Sequence, residues 1–259
     1  SRKTAAIWNM LSQESLKSNV VGWWPSHPAE PLNGVMVSNF YQRAVADLDQ
    51  PWPMAPGTVF PKKMSSIIAQ MRVHPQELTA QHILPFVPEA AKVDQEKDKR
   101  LASVGKILSE AACIHNSATY LMENTEWDFM AVYYDNIDHF CHGFMKYHPP
   151  KLNGIKAEDH EIFKNVVNAG YVYHDMMLGR MLNLTDENTT IILISDHGFE
   201  SGKNRLLKLP KEAGAPAYDH RSYGIFAASG PKIRKDELVY GANLLDITPT
   251  LLSIYDLPI

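Results

Sequence analysis

Several things are scarce in this chain, and each scarcity excludes something. Of its 259 residues only Cys113 and Cys141 are cysteine, and neither has the spacing of a disulfide scaffold or a zinc ribbon. Two cysteines leave the compartment open. No run of about 18 apolar residues occurs, which excludes a membrane-spanning helix. The N-terminal stretch SRKTAAIWNMLSQ lacks the apolar core of a signal peptide. Positive charge is not in excess: 25 Lys and Arg stand against 29 Asp and Glu, a net charge of −4 with no basic stripe, so a nucleic-acid polymer is not an expected partner. No internal repeat or low-complexity segment is visible.

What remains is the composition of an ordinary globular domain, 45% apolar and 21% charged. Four short runs read as buried parallel strands, apolar and without clean alternation: NVVGWW (19–24), DFMAVYY (128–134), TTIILIS (189–195) and YGIFAAS (223–229). Helical periodicity separates them. From Leu101 apolar positions recur at three and four through Leu121, and a second such series runs from Ile162 to Met181. A last helix is expected near Thr248-Pro249, with threonine as N-cap and proline in the first turn. Alternating strands and helices predict a three-layer α/β/α sandwich on a mostly parallel sheet. The proline-rich region 51–93 breaks the rhythm and reads as an insertion with short helices; DQEKDKR (94–100) reads as the solvated start of the next helix. The Asn183 and Asn188 sequons are short enough to arise by chance.

Ligands of open α/β sheets bind beyond the carboxyl ends of the strands, and here those ends carry acids and histidines. DFMAVYY is followed by Asp135, Asp138, His139 and His142; TTIILIS by Asp196-His197-Gly198; and Asp219-His220-Arg221 comes just before YGIFAAS. Each group alone has a plain explanation, since Asp and Gly punctuate turns. Together they place carboxylates and imidazoles, suitable ligands for zinc or manganese, at three strand edges that share one rim, with open positions for a substrate. In YYDNIDHFCHG (133–143) two pairs share one spacing, Asp135/His139 and Asp138/His142, and spacing alone does not choose between them.

SDHGF after a strand, D-x-x-x-H followed by glycine, HR-x-YGIF-x-x-SGP, GWWPSHPAE and LLDITPTLL together resemble the alkaline phosphatase superfamily, closest to its type I phosphodiesterase/nucleotide pyrophosphatase branch. The likeness spans nearly the whole chain. It implies an alkaline-phosphatase-like fold, two divalent cations that are usually zinc, and a small-molecule phosphoester substrate. By position it gives Asp196 and His197 to one cation, and the D-x-x-x-H pair with His220 to the other. The family's pattern favours Asp138/His142, because Gly143 directly follows the histidine; Asp135 and His139 are then either neighbours that orient a ligand or, the preferred reading, hydrogen-bonded loop residues. A further metal aspartate and a Thr or Ser nucleophile precede these motifs in the family. Neither matches here, and Thr4 has no strand before it. Residues 1–259 are therefore expected to form one partial catalytic domain, inactive alone, with any targeting signal upstream. Within the same superfamily a phosphosugar mutase, a sulfatase or a head-group transferase is an alternative; outside it, a non-catalytic metal-binding domain. Trp23, Trp24, Tyr133 and Tyr134 are expected in the core rather than against a substrate. Lys203 and Arg221 are candidates to meet a phosphate oxygen.

Overall fold

A computed structural model describes residues 2–44 and 46–259. The chain runs through α1 (Ile7–Gln13), β1 (Ser18–Val21), β2 (Gly34–Val37), β3 (Val59–Phe60), α2 (Ser65–Ala69), α3 (Ala80–Ile83), α4 (Arg100–Asn124), β4 (Phe129–Val132), α5 (Asn136–Phe144), α6 (Ala157–Phe163), α7 (Val166–Leu182), β5 (Ile191–Ile194), β6 (Gly198–Phe199), β7 (His220–Arg221), β8 (Phe226–Ser229) and α8 (Ile247–Ile254). The architecture is mixed α/β, as expected. Its central sheet is ordered β3-β2-β1-β4 and is mostly parallel: β1 pairs parallel with β2 and β4, and only β3 runs against them.

Val20 and Val21 point to opposite faces of β1 and both are buried, because both faces of the sheet are covered there. Val21, Val35 and Val37 pack on one side against Ile114, Ala118 and Leu121 of α4. Val20, Met36 and Ala131 pack on the other around Trp8 of α1. α4 is the longest helix, 25 residues and about 38 Å at 1.5 Å per residue. Its second half lies in the sheet core, whereas Leu101, Val104, Ile107 and Leu108 belong to a separate cluster with Phe140 and Phe144 of α5 and Val166 and Val167 of α7. One helix thus holds α5 in place relative to the sheet.

α5 and α7 lie close. A Cβ on Gly170 of α7 would stand 2.7 Å from the Phe140 ring, so only glycine lets that ring seat. Phe140 also stacks on Phe86, at 5.3 Å between centroids, within the proline-rich region. That region carries short helices, as expected, together with β3.

Several expectations are corrected. β2 was not visible in the sequence: Val35, Met36 and Val37 are its only apolar residues, set between Gly34 and the polar Ser38-Asn39. The 162–181 series is two helices, not one. α6 ends at Phe163, which turns aside to meet Phe144 at 5.7 Å and Tyr147 at 5.5 Å, and α7 begins after Asn165. The run 94–100 is a turn, and its helix begins only at Arg100. The residue at the cap position of α8 is Asp246 rather than Thr248, but its side chain makes no hydrogen bond to that helix. Its carboxylate accepts from the Asn243 N–H and, with the Asn243 side chain accepting from the Leu245 N–H, closes the single turn at 244–246 that leads into α8. Pro249 sits in the first turn of α8, where its missing N–H costs nothing.

The largest difference concerns YGIFAAS. β8 pairs with β5 antiparallel and is mostly exposed, rather than parallel and buried. β6 pairs with β7, reversing the chain, so β8 returns along β5 in the opposite sense. Among the described residues β5 and β8 form a two-stranded ribbon, not part of the central sheet. The entry to β8 is tight: a Cβ on Gly224 would lie 1.9 Å from the Ser195 carbonyl oxygen. Both cysteines are free and buried. Among the described residues no helix is long and apolar enough to cross a membrane.

Candidate metal centre

The stretch after β4 is not a loop. After Tyr133 and Tyr134 the backbone enters α5 at once, with Asp135 as N-cap. A four-residue spacing on a helix puts Asp138 directly beneath His142 and Asp135 beneath His139. Successive residues turn by about 100°, so the two pairs lie on adjoining faces about 60° apart. Burial of Asn136, Phe140, Cys141 and Phe144 fixes the rotation of the helix. It turns Asp138 and His142 toward β6 and β7, and leaves Asp135 and His139 as a 4.0 Å pair with His139 44% exposed.

Asp138, His142 and His220 converge, with one ligand atom from each within 4.8 Å of the others. Nε2 of His142 is 3.0 Å from Nε2 of His220, and Oδ1 of Asp138 is 3.4 and 3.5 Å from the two. A tetrahedral cation with bonds of about 2.0–2.1 Å has ligands about 3.3 Å apart. The donor set, one carboxylate and two imidazoles with no thiolate, suits zinc or manganese.

Asp196 and His197 stand beside this group but are not drawn into it. His197 Nε2 lies 3.7 Å from Asp138 Oδ1 and 3.8 Å from Asp196 Oδ1, and the Asp196 side chain is 59% exposed. The His197 ring stacks on that of His220, with centroids 3.6 Å apart and planes at 13°. All five sequence-predicted residues thus lie in one group, three tightly and two loosely, although β5 and β7 belong to separate two-stranded ribbons and not to the central sheet that carries β4.

The charges respond to one another. The carboxylate of Asp138 beside His142 raises that imidazole's pKa above its ordinary value, against the effect of burial, and Asp219 adds to the rise. Burial would lift the Asp138 carboxyl, but His142 first, then His139 and His197, carry it below the usual range. Burial lowers the His220 pKa, and neighbouring His197 lowers it further. The Tyr133 hydroxyl is pushed up to about 12 by burial and by Asp196, Asp135 and Asp138.

Two participants had no assigned role in the sequence. Phe199, the last residue of SDHGF, sets its ring edge-on to three histidines, 4.9 Å from His142, 4.9 Å from His220 and 5.5 Å from His197. Asp219 places Oδ2 3.4 Å from His142 Nδ1. Both were visible as neighbours of ligands in sequence; nothing in the sequence said that they meet α5. Arg205, buried, donates to the carbonyls of Met145, His148 and Pro150 and ties the segment after β6 to the end of α5.

Of the aromatics expected in the core, Tyr134 is largely enclosed, donating to Met181 Sδ, and Trp23 is half-buried against Trp8 and Tyr133. Trp24 is 61% exposed, contrary to expectation, because the chain leaves the sheet at Gly22. Arg221 is engaged by Glu200 at 3.2 Å, and Lys203 is exposed.

No curated protein and no solved structure matches the chain significantly. The family model for type I phosphodiesterase/nucleotide pyrophosphatase matches residues 2–246. That family is typically metal-dependent, in keeping with the Asp/His/His group, and supports a phosphoester hydrolase at the family level. With nearly its whole length matched, the chain belongs to the type I phosphodiesterase/nucleotide pyrophosphatase family.

Proposed function

We propose that these residues form the metal-holding part of a two-cation phosphoric-ester hydrolase acting on a small-molecule phosphoester. Asp138, His142 and His220 hold one divalent cation, zinc in preference to manganese, and Asp196 and His197 serve a second. The observation that carries the reading is the spacing of 3.0, 3.4 and 3.5 Å among three ligand atoms drawn from α5 and β7. The looser Asp196/His197 pair fits a site that needs a further ligand; by resemblance that ligand is an aspartate preceding these motifs.

When bound, the cations polarise a phosphoryl oxygen and stabilise charge on the attacking and leaving oxygens. The protein's share is placement. Asp138 supplies negative charge among three histidines, and rigid elements hold the rings before any substrate arrives. Phe199 covers one side of the imidazoles and limits water there. Tyr133, protonated at neutral pH, is a hydrogen-bond donor at the rim and not a base. The Ser195 hydroxyl is committed to the His197 carbonyl at 2.5 Å. Thr4 lines a surface cleft with Arg2, Pro25, Ser26 and His27 that holds none of the five ligands. By resemblance the attacking hydroxyl is that of a Thr or Ser preceding these motifs, and without it the metal-holding residues are expected to turn over substrate negligibly.

Elemental analysis of protein purified without chelators tests the reading. At least one zinc or manganese per chain, lost in Asp138→Ala and kept in Asp135→Ala, is the expected result. No metal in the wild-type chain, or loss in Asp135→Ala alone, refutes it.

A further inference from the structure

We infer that Asp219 is a positioning residue: its carboxylate holds His142 in the tautomer that carries the proton on Nδ1, leaving Nε2 bare toward Asp138 and His220. The consequence for metal binding rests on the reading of that group as a cation site.

The two nitrogens of His142 face different partners. Nδ1 meets Asp219 Oδ2 at 3.4 Å in hydrogen-bond geometry. Nε2 meets His220 Nε2 at 3.0 Å and Asp138 Oδ1 at 3.4 Å. An ionised carboxylate only accepts, so the Asp219 contact requires a proton on Nδ1, and a neutral imidazole then offers a lone pair at Nε2. Among the described residues the Asp219 side chain has no other hydrogen-bond partner, and it is only 16% exposed. Histidines that bind metals commonly give their other N–H to such a carboxylate, which fixes ring orientation and raises ligand basicity.

Asp219 and His220 are consecutive, so one short stretch grips both edges of the His142 ring. That stretch is itself held. The Glu200 N–H donates to the Asp219 carbonyl at 2.9 Å, Phe199 pairs with His220 in the β6–β7 ladder, and Arg221 pairs with Glu200 across it. The β6–β7 ribbon therefore delivers the second histidine ligand and the orientation of the first together.

Long-range proton–nitrogen NMR of histidine rings, at mildly alkaline pH without metal, reads the tautomer directly. His142 signals are assigned by their loss in His142→Gln. The wild type is expected to show the Nδ1–H pattern for His142, and Asp219→Ala to shift it toward Nε2–H. Zinc affinity by chelator competition reads the consequence: a loss of about 10–100-fold in Asp219→Ala, substantially restored in Asp219→Glu, with little change in the Tm of the metal-free protein. An Nε2–H pattern in the wild type, or an Nδ1–H pattern that survives Asp219→Ala, overturns the inference. A wild-type chain that shows the Nδ1–H pattern but takes up no zinc overturns the cation reading and leaves the tautomer assignment standing.

Discussion

Asp138/His142 and Asp135/His139 share a helix, a spacing and a chemistry, and they differ only in where the helix points them. One pair faces His220 at 3.0–3.5 Å; the other faces outward as an isolated 4.0 Å contact. The difference arises on the opposite side of α5, where Phe140 and Phe144 are buried between α4 and α7. Apolar packing that touches none of the candidate ligands selects which carboxylate and imidazole face His220.

The strongest way to break this comparison is to remove the packing. Phe140→Ala deletes a ring stacked on Phe86 and seated against Gly170, and it is expected to cost about 3–5 kcal/mol. Denaturant unfolding measures this, and zinc uptake should weaken with it. Next in size is exchange between the pairs. His142→Ala is expected to abolish tight zinc binding in equilibrium dialysis while His139→Ala leaves it unchanged. Equal losses would mean that the outward pair participates.

A smaller effect sharpens the electrostatic contrast. Glu110 of α4 is buried, and burial first, then the nearby Asp135 charge, raises its pKa, opposed by Lys106, His139 and Arg43. A carboxyl raised in the fold favours the protonated native state. Its contribution is fully present below the unfolded value and is lost as pH rises through the folded one. Glu110→Gln should therefore raise Tm at pH 7 by a few degrees, about what 1 kcal/mol gives in a chain of this size, and make little difference near pH 4. A larger gain at pH 4 than at pH 7 would reverse the sign. Least affected should be Asp135→Ala, within about 0.5 kcal/mol of wild type, since its side chain, though at the cap position, makes no hydrogen bond to the first turn of α5, and a half-exposed pair at 4.0 Å contributes little.

The long helix α4 was legible because its period is a local property of the chain, and the cores of β1, β4 and β5 because each lies in a short apolar run. β2 and the break between α6 and α7 were not, for opposite reasons. The first offers only three apolar residues between Gly34 and Ser38, and the second interrupts a period that continues in sequence while the chain turns to bury Phe163. The direction of β8 escaped as well, since a strand's sequence does not encode its partner. It followed from the reversal through β6 and β7.

By itself, the sequence determined the candidate ligand types and the spacing within each pair, because a helix places residues four apart on one face whatever surrounds it. It also determined the family, through ordered motifs that span nearly the whole chain. Only the tertiary structure decided that Asp138 and His142 meet His220, that Asp219 reaches Nδ1 of His142, and that Phe199 covers three imidazoles. The contacts of His142 with Asp219 and His220 join residues about eighty positions apart in sequence, and the rotation of α5 that permits them is set by burial on its far side.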